Sequence, residues 1–218
     1  MGTPVIVVVG AGPGVSASVA RRFAKDGYAV GLVGIDRAAL DDLVDELRPA
    51  GTRVLGEVAD LTDVEAATAA ITGLADELGR IDVLHFNPSA FRQKDPVSLT
   101  VAELLDDVAL GVGALLTAVQ AARPHMSAGA RVTATGSMAA DEPWHEAASL
   151  GVQKAGLRNL VHSLDATLRP DGIRAVSVTV WGTLGKDGPF TPERVADALH
   201  AAAAQDEAGW RTEVPYRG

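Results

Sequence analysis

Short unbroken apolar runs alternate along this chain with longer stretches in which apolar residues recur every three or four positions. The first run, Val5–Val9, is bounded by Gly10, and a continuous β-branched run predicts a strand buried on both faces. Val15, Val19 and Phe23, with Ala20 and Ala24 beside them, mark one face of a helix that Gly27 ends. The same alternation predicts strands at residues 29–33, 53–58, "IDVLHFN", "ARVTATGS" and "IRAVSVTVWG". It predicts helices in "RAALDDLVDELRPAG", "DVEAATAAITGLADELG", residues 101–126, "EAASLGVQKAGLRNLVHSLDATLRP" and "TPERVADALHAAAAQ". "WRTEVPY" reads as a short edge strand. Repeated strand–helix units imply right-handed crossovers and parallel pairing. The expected architecture is α/β: a doubly wound, mostly parallel sheet of about seven strands with helices on both faces. No linker, repeat or low-complexity stretch divides the chain, so residues 1–218 read as one domain.

Composition narrows the function classes. A net charge of −9 argues against a nucleic-acid surface, which needs a basic face. The chain has no cysteine, which excludes a disulfide scaffold, a thiol nucleophile and cysteine-ligated zinc. His85, His125 and His162 fall at no ligand spacing, so no metal site is expected. The run from Pro4 is too short for a signal peptide or a membrane span, so the expectation is a cytoplasmic protein with no membrane partner. What carries chemistry is "GAGPGVS". Gly10, Gly12 and Gly14 fall between a buried strand and a helix, where glycine permits a tight turn and close approach of a pyrophosphate. Pro13 withdraws one N–H donor from that loop. A tight turn with no ligand is the competing reading. The context otherwise is that of a Rossmann-type dinucleotide site.

With these residues in view, the chain resembles the short-chain dehydrogenase/reductase family over almost its whole length. Gly10-x-x-x-Gly14-x-Ser16 is similar to the family's glycine motif, with serine at its last glycine. "ADLTD" resembles the Asp–hydrophobic pair that follows the third strand, which implies Asp60 and Leu61 beside an adenine. "FNPSA" resembles the Asn-Asn-Ala-Gly turn through Asn87. Ser137 closes the fifth strand where the family has its catalytic serine, and Lys154 follows at the family's spacing of seventeen. The resemblance implies NAD or NADP held by Gly10, Gly12, Gly14, Val15, Asp60, Leu61, Asn87 and Lys154. It also implies a small-molecule carbonyl or alcohol substrate, and a homodimer or homotetramer formed through "LGVGALLTAVQAA" and "LGVQKAGLRNLVHSL". The bland reading of those two segments is packing on the sheet. Trp210 and Glu213 match the Trp-x-x-Glu tail of a subgroup.

The departures set the functional question. The family's acid/base tyrosine falls on Leu150, which carries no proton. Its water-ordering asparagine falls on Gly111, and Trp181 replaces the proline after strand six. The segment from Gly182 to "TPERV" is too brief for the usual substrate lid. At the end of strand two, where NAD or NADP is chosen, stand Gly34 and Ile35. Asp36 is the candidate for a ribose hydroxyl, or simply a helix N-cap, and Arg37 carries the opposite charge. For the missing proton the candidates are water, the substrate itself and His145 in "DEPWHE", which is otherwise an ordinary exposed loop histidine. Tyr216 reads as part of a frayed tail, or as a residue that enters a neighbouring subunit's pocket. Lys154 is either a cofactor ligand or a snorkelling helix lysine. Three functions follow: an oxidoreductase with a degenerate tetrad of which Ser137 and Lys154 remain; a non-redox descendant that binds a dinucleotide or small molecule, or isomerises or cyclises one; and an inactive partner in an oligomer.

Overall fold

A computed structural model of the protein describes residues 2–218. Seven strands form one sheet: β1 (Val5–Val9), β2 (Ala29–Gly34), β3 (Val54–Val58), β4 (Val83–Phe86), β5 (Arg131–Ser137), β6 (Arg174–Val180) and β7 (Glu213–Tyr216). The spatial order is β3-β2-β1-β4-β5-β6-β7, and every pairing is parallel, the edge strand β7 included. The continuous apolar runs behave as expected, for β1, β2, β4 and β6 are buried at every position.

Seven α-helices cover the two faces: α1 (Val15–Lys25), α2 (Arg37–Leu47), α3 (Val64–Leu78), α4 (Val101–Val108), α5 (Ala114–Ala122), α6 (Ala148–Leu168) and α7 (Pro192–Ala203). Ile71 and Leu74 of α3, Leu115 of α5 and Leu157 and Val161 of α6 build the core on one face. Val19 of α1, Leu40 and Leu43 of α2 and Val195 and Leu199 of α7 build it on the other. Side chains cap four of these helices. Asp36 accepts from Ala38 N and Ala39 N, Asp63 from Glu65 N and Ala66 N, and Thr191 from Arg194 N, while Thr100 and Glu103 form a reciprocal box. The first turn of α1 has no side-chain cap; its N-cap is Gly14.

One element departs from the sequence reading. The helix expected over residues 101–126 is interrupted between α4 and α5 by a π-helical turn, Ala109–Gly113. Gly111 and Gly113 remove side chains there, and the wider turn opens the helix at a point where α6 packs against it.

The sheet reverses its direction of growth between β1 and β4, so the chain leaving β1 and the chain leaving β4 diverge and open a crevice above the strand ends. The glycine loop is pinned there by two hydrogen bonds, from Gly10 N (2.9 Å) and Ala11 N (2.7 Å) to the Val33 carbonyl. At this approach a Cβ on Gly34 would lie well inside contact distance of the Ala11 carbonyl oxygen. No side chain fits at the end of β2. Gly34→Ala is therefore expected to cost about 1–3 kcal/mol by overpacking. Gly12→Ala, with nothing within 4 Å of the added carbon, should leave the melting temperature unchanged. Thermal denaturation of the two variants checks both.

Candidate functional site

The crevice holds two cavities joined by a common edge. One, about 490 Å³, is lined by Gly10, Ala11, Ile35, Asp60, Leu61 and Pro88. The other, about 330 Å³, is lined by Gly14, Ser137, Leu150, Lys154, Val180 and Leu184. Asn87 and Ser89 belong to both. Together they form one groove that crosses the glycine loop and the N-terminus of α1.

The groove's floor is a chain of short polar contacts. Gly10 has φ 82°, and a Cβ on it would stand 2.7 Å from Pro88 Cγ, so glycine is required twice over. The Ser16 hydroxyl donates to the Gly10 carbonyl at 2.7 Å, and Asn87 Nδ2 donates to Ser16 Oγ at 2.8 Å. Asn87 N also donates to the Val9 carbonyl at 3.0 Å. The serine that replaces the motif's last glycine thus ties the first loop to the fourth. Gly14 holds φ 91°. At the far end Asp60 Oδ1 accepts from Thr62 N (2.9 Å) and Thr62 Oγ1 (2.7 Å), and these bonds lower its pKa.

At the other end Lys154 is almost wholly buried, 6% exposed, and its Nζ donates to the Thr135 carbonyl at 2.9 Å. That oxygen carries no full charge, so nothing repays the ammonium for leaving water, and burial pushes its pKa down to about 8. Ser137 ends β5, and its Oγ accepts from Ala139 N at 3.2 Å. Leu150, one helical turn before Lys154, is half-buried and lines the same cavity.

The other expected residues are spread more widely. Val15 joins the cavity at the start of α1. Asp36 is exposed and uses its carboxylate as the cap of α2, while Arg37 lies 3.7 Å from Asp41. His145 sits in a 3₁₀ turn, His145–Ala147. It is exposed and lines a different, mainly apolar cavity with Pro96, Leu99, Val101 and Trp144, not the one that holds Ser137 and Lys154. Tyr216 is no frayed tail: it ends β7, and its hydroxyl donates to the Pro189 carbonyl at 2.5 Å. The brief segment after β6 folds back so that the Phe190 ring covers Gly182, and Leu184 supplies part of the cavity wall. Trp210 packs beneath the guanidinium groups of Arg131 and Arg174, and Glu213 accepts from Thr179 Oγ1 at 2.6 Å, so both tail residues anchor β7.

Three buried polar residues near the groove, Asp107, Ser149 and Gln153, carry no motif. Asp107, 2% exposed, accepts from Arg92 through both oxygens, at 3.0 and 2.9 Å, and from Ser149 Oγ at 2.7 Å. Arg92 holds the carboxyl below its ordinary pKa. Gln153 is fully buried behind Gly111. A polar residue at a helix's core-facing position is the signal that marks Asp107 and Gln153. Among the described residues no helix is long and apolar enough to cross a membrane, and no group of three His, Cys, Asp or Glu could hold a metal.

The depressed pKa of Lys154 makes stability depend on pH with a definite sign. Between pH 8 and 10.5 the unfolded chain binds a proton that the folded one has released, so stability relative to a Lys154→Met variant rises over that window. The full change is about 3 kcal/mol. Denaturant titrations of both proteins from pH 7 to 10.5 measure it, and a flat difference would show that the ammonium is solvated.

Residues 4–184 match the family described as short chain dehydrogenase. A cis-4-hydroxycyclohexanecarboxylate dehydrogenase from Sinomonas cyclohexanicum is 32% identical over 209 residues, covering 94% of this chain and 82% of the relative. A short chain dehydrogenase from Mycobacterium smegmatis superposes with a TM-score of 0.88 at 26% identity, over 100% of this chain and 92% of that one. A metagenomic short-chain oxidoreductase crystallised with NADP gives 0.87 at 25% identity, over 99% and 97%. The chain belongs to the short-chain dehydrogenase family.

Proposed function

We propose that the protein is an oxidoreductase that uses a nicotinamide dinucleotide to interconvert a small carbonyl compound and its alcohol. The observation that carries the reading is the single groove running from Asp60 across the glycine loop to Lys154. Its parts suit such a ligand. The α1 N-terminus, free of any side-chain cap, offers N–H groups and a partial positive charge to a pyrophosphate. Gly10, Gly14 and Val15 line the groove there with Gly12 in the loop between them, Asp60 and Leu61 would flank the adenine, and Asn87 borders both halves. Lys154, with one neutral partner, has hydrogens left for ribose hydroxyls. Asp36 and Arg37 set opposite charges side by side at the end of β2, so both NAD and NADP are to be tested.

When bound, the nicotinamide ring gives or takes a hydride. Ser137 Oγ holds the substrate oxygen, and the Lys154 ammonium favours negative charge developing on it. Leu150 offers no proton, and His145 opens onto the other cavity. The proton therefore passes through water between Ser137 and Lys154. Leu150, Val180 and Leu184 make the substrate end apolar, which favours an uncharged substrate.

We further propose that the protein assembles with copies of itself through α4, α5 and α6. Val101 (73% exposed), Leu105 (61%), Leu116 (41%) and Val152 (49%) leave an apolar face uncovered on these helices.

Calorimetric titration with the four dinucleotides tests the cofactor. Gly12→Ala, which costs no stability, should weaken binding about tenfold by holding the pyrophosphate off the loop. Absence of binding by the wild type at millimolar concentration would return the protein to the non-redox readings. Leu150→Tyr should raise reduction of an activated diketone by about 10²–10⁴-fold over Leu150→Phe, which adds the ring without the proton. Loss of turnover in His145→Ala would move the proton route to histidine. Light scattering should show Leu105→Glu shifted from dimer or tetramer to monomer.

A further inference from the structure

We propose that Gln153 is a positioning residue of this groove: through the gap left by Gly111 its carboxamide holds Ala90, and thereby fixes the Asn87–Ser89 edge that the two cavities share. The inference rests on the dinucleotide reading for its purpose and on the geometry that follows for its substance.

Gln153 lies on α6 with no exposed surface. Its Oε1 accepts from Ala90 N at 3.0 Å, and its Nε2 donates to the Ala90 carbonyl at 3.2 Å and to the Ser149 carbonyl at 3.3 Å. The carboxamide grips both polar atoms of one peptide residue, as a neighbouring strand would. It also uses both of its donors and its acceptor without help from water.

The segment it grips has little else to hold it. After β4 the chain runs from Asn87 to Pro96 without regular structure. Asn87 is tied to β1, and Arg92 to Asp107, at the two ends. Between them, from Pro88 to Phe91, the only main-chain hydrogen bonds among the described residues are the two at Ala90. Yet this stretch supplies the groove's common edge, and Pro88 is the surface on which Gly10 rests. A shift at Ala90 is therefore a shift of the wall beside the glycine loop.

Room for the carboxamide comes from the π-helical turn. A Cβ on Gly111 would stand 2.9 Å from Gln153 Cγ and 3.0 Å from its Cβ, and closer still to Oε1. Any side chain at 111 would evict the glutamine. The two positions are one device: glycine on the α4–α5 side, an amide on the α6 side. Asparagine at 111 cannot simply be added to this site.

Gln153→Met keeps the volume and removes the amide. Amide hydrogen exchange read by mass spectrometry should show protection lost about tenfold or more over residues 89–92, with β1 and β6 unchanged. Calorimetry should show dinucleotide affinity reduced about tenfold. Gly111→Asn alone should disturb the same segment. Gly111→Asn combined with Gln153→Ala should restore both protection and affinity, because the new amide enters the vacated space from the other helix. Unchanged exchange at 89–92 in Gln153→Met would overturn the proposal, as would loss of protection spread evenly over the molecule. A wild type that binds no dinucleotide would sink the proposed function, while the exchange measurement would still decide the role of Gln153.

Discussion

The Ala11 peptide lies against Gly34 with no space for a Cβ between them, and the mouth of the sheet is built on that contact. The loop can turn tightly over β2 only because Gly34 offers backbone alone to the Ala11 carbonyl, and Gly10 N and Ala11 N then both reach the Val33 carbonyl. Gly10 repeats the arrangement on the other side, against Pro88. The loop is thus wedged between the ends of β2 and β4 and aims the first turn of α1 into the crevice. An acidic residue at position 34 has no place in this geometry. Residues 35–37, the first side chains after β2, lie beyond the wedge and are exposed.

The second constraint is electrostatic. A lysine ammonium almost wholly buried at the foot of the groove, with one carbonyl for company, is held at a free-energy cost that the fold does not recover from a carboxylate. Asp165 and Arg174 show the other solution, a buried pair that shares two hydrogen bonds of 2.9 Å. The contrast makes Lys154 a residue with unspent hydrogen-bonding capacity pointing at a cavity. That is the condition expected of a group waiting for a polar ligand.

How much of this was legible in sequence depended on the range of the interaction. Strands and most helices were written in local apolar periodicity, and the glycine loop announced its turn by composition. The family spacing located Ser137 and Lys154, and the structure brings them to one cavity. It could not place His145, because the turn from Met138 to Ala147 folds that side chain away from the cavity behind Leu150. Nor could it reveal that Gln153 packs into the space at Gly111, forty-two positions away in the chain. An amide filling a missing side chain is a fact of three-dimensional packing, and so is the π-helical turn that interrupts the helix expected over residues 101–126. Asp36 was open to two readings, and its two short bonds to α2 satisfy the capping one.

The tail that Trp210 anchors against Arg131 and Arg174 also covers the edge of the sheet beside β6. Without residues 213–216, β6 would present a row of open backbone groups, and an open parallel edge is a template for aggregation. β7 covers that row and does not reproduce it. The Thr212 and Tyr216 carbonyls face β6. Successive residues of a strand turn their backbone groups alternately, so Glu213 and Pro215 face outward. Proline has no N–H to give. Of the four residues of β7 only Glu213 keeps an outward donor, and its side chain is anionic. Further growth at that edge therefore finds one backbone donor at Glu213 and none at Pro215.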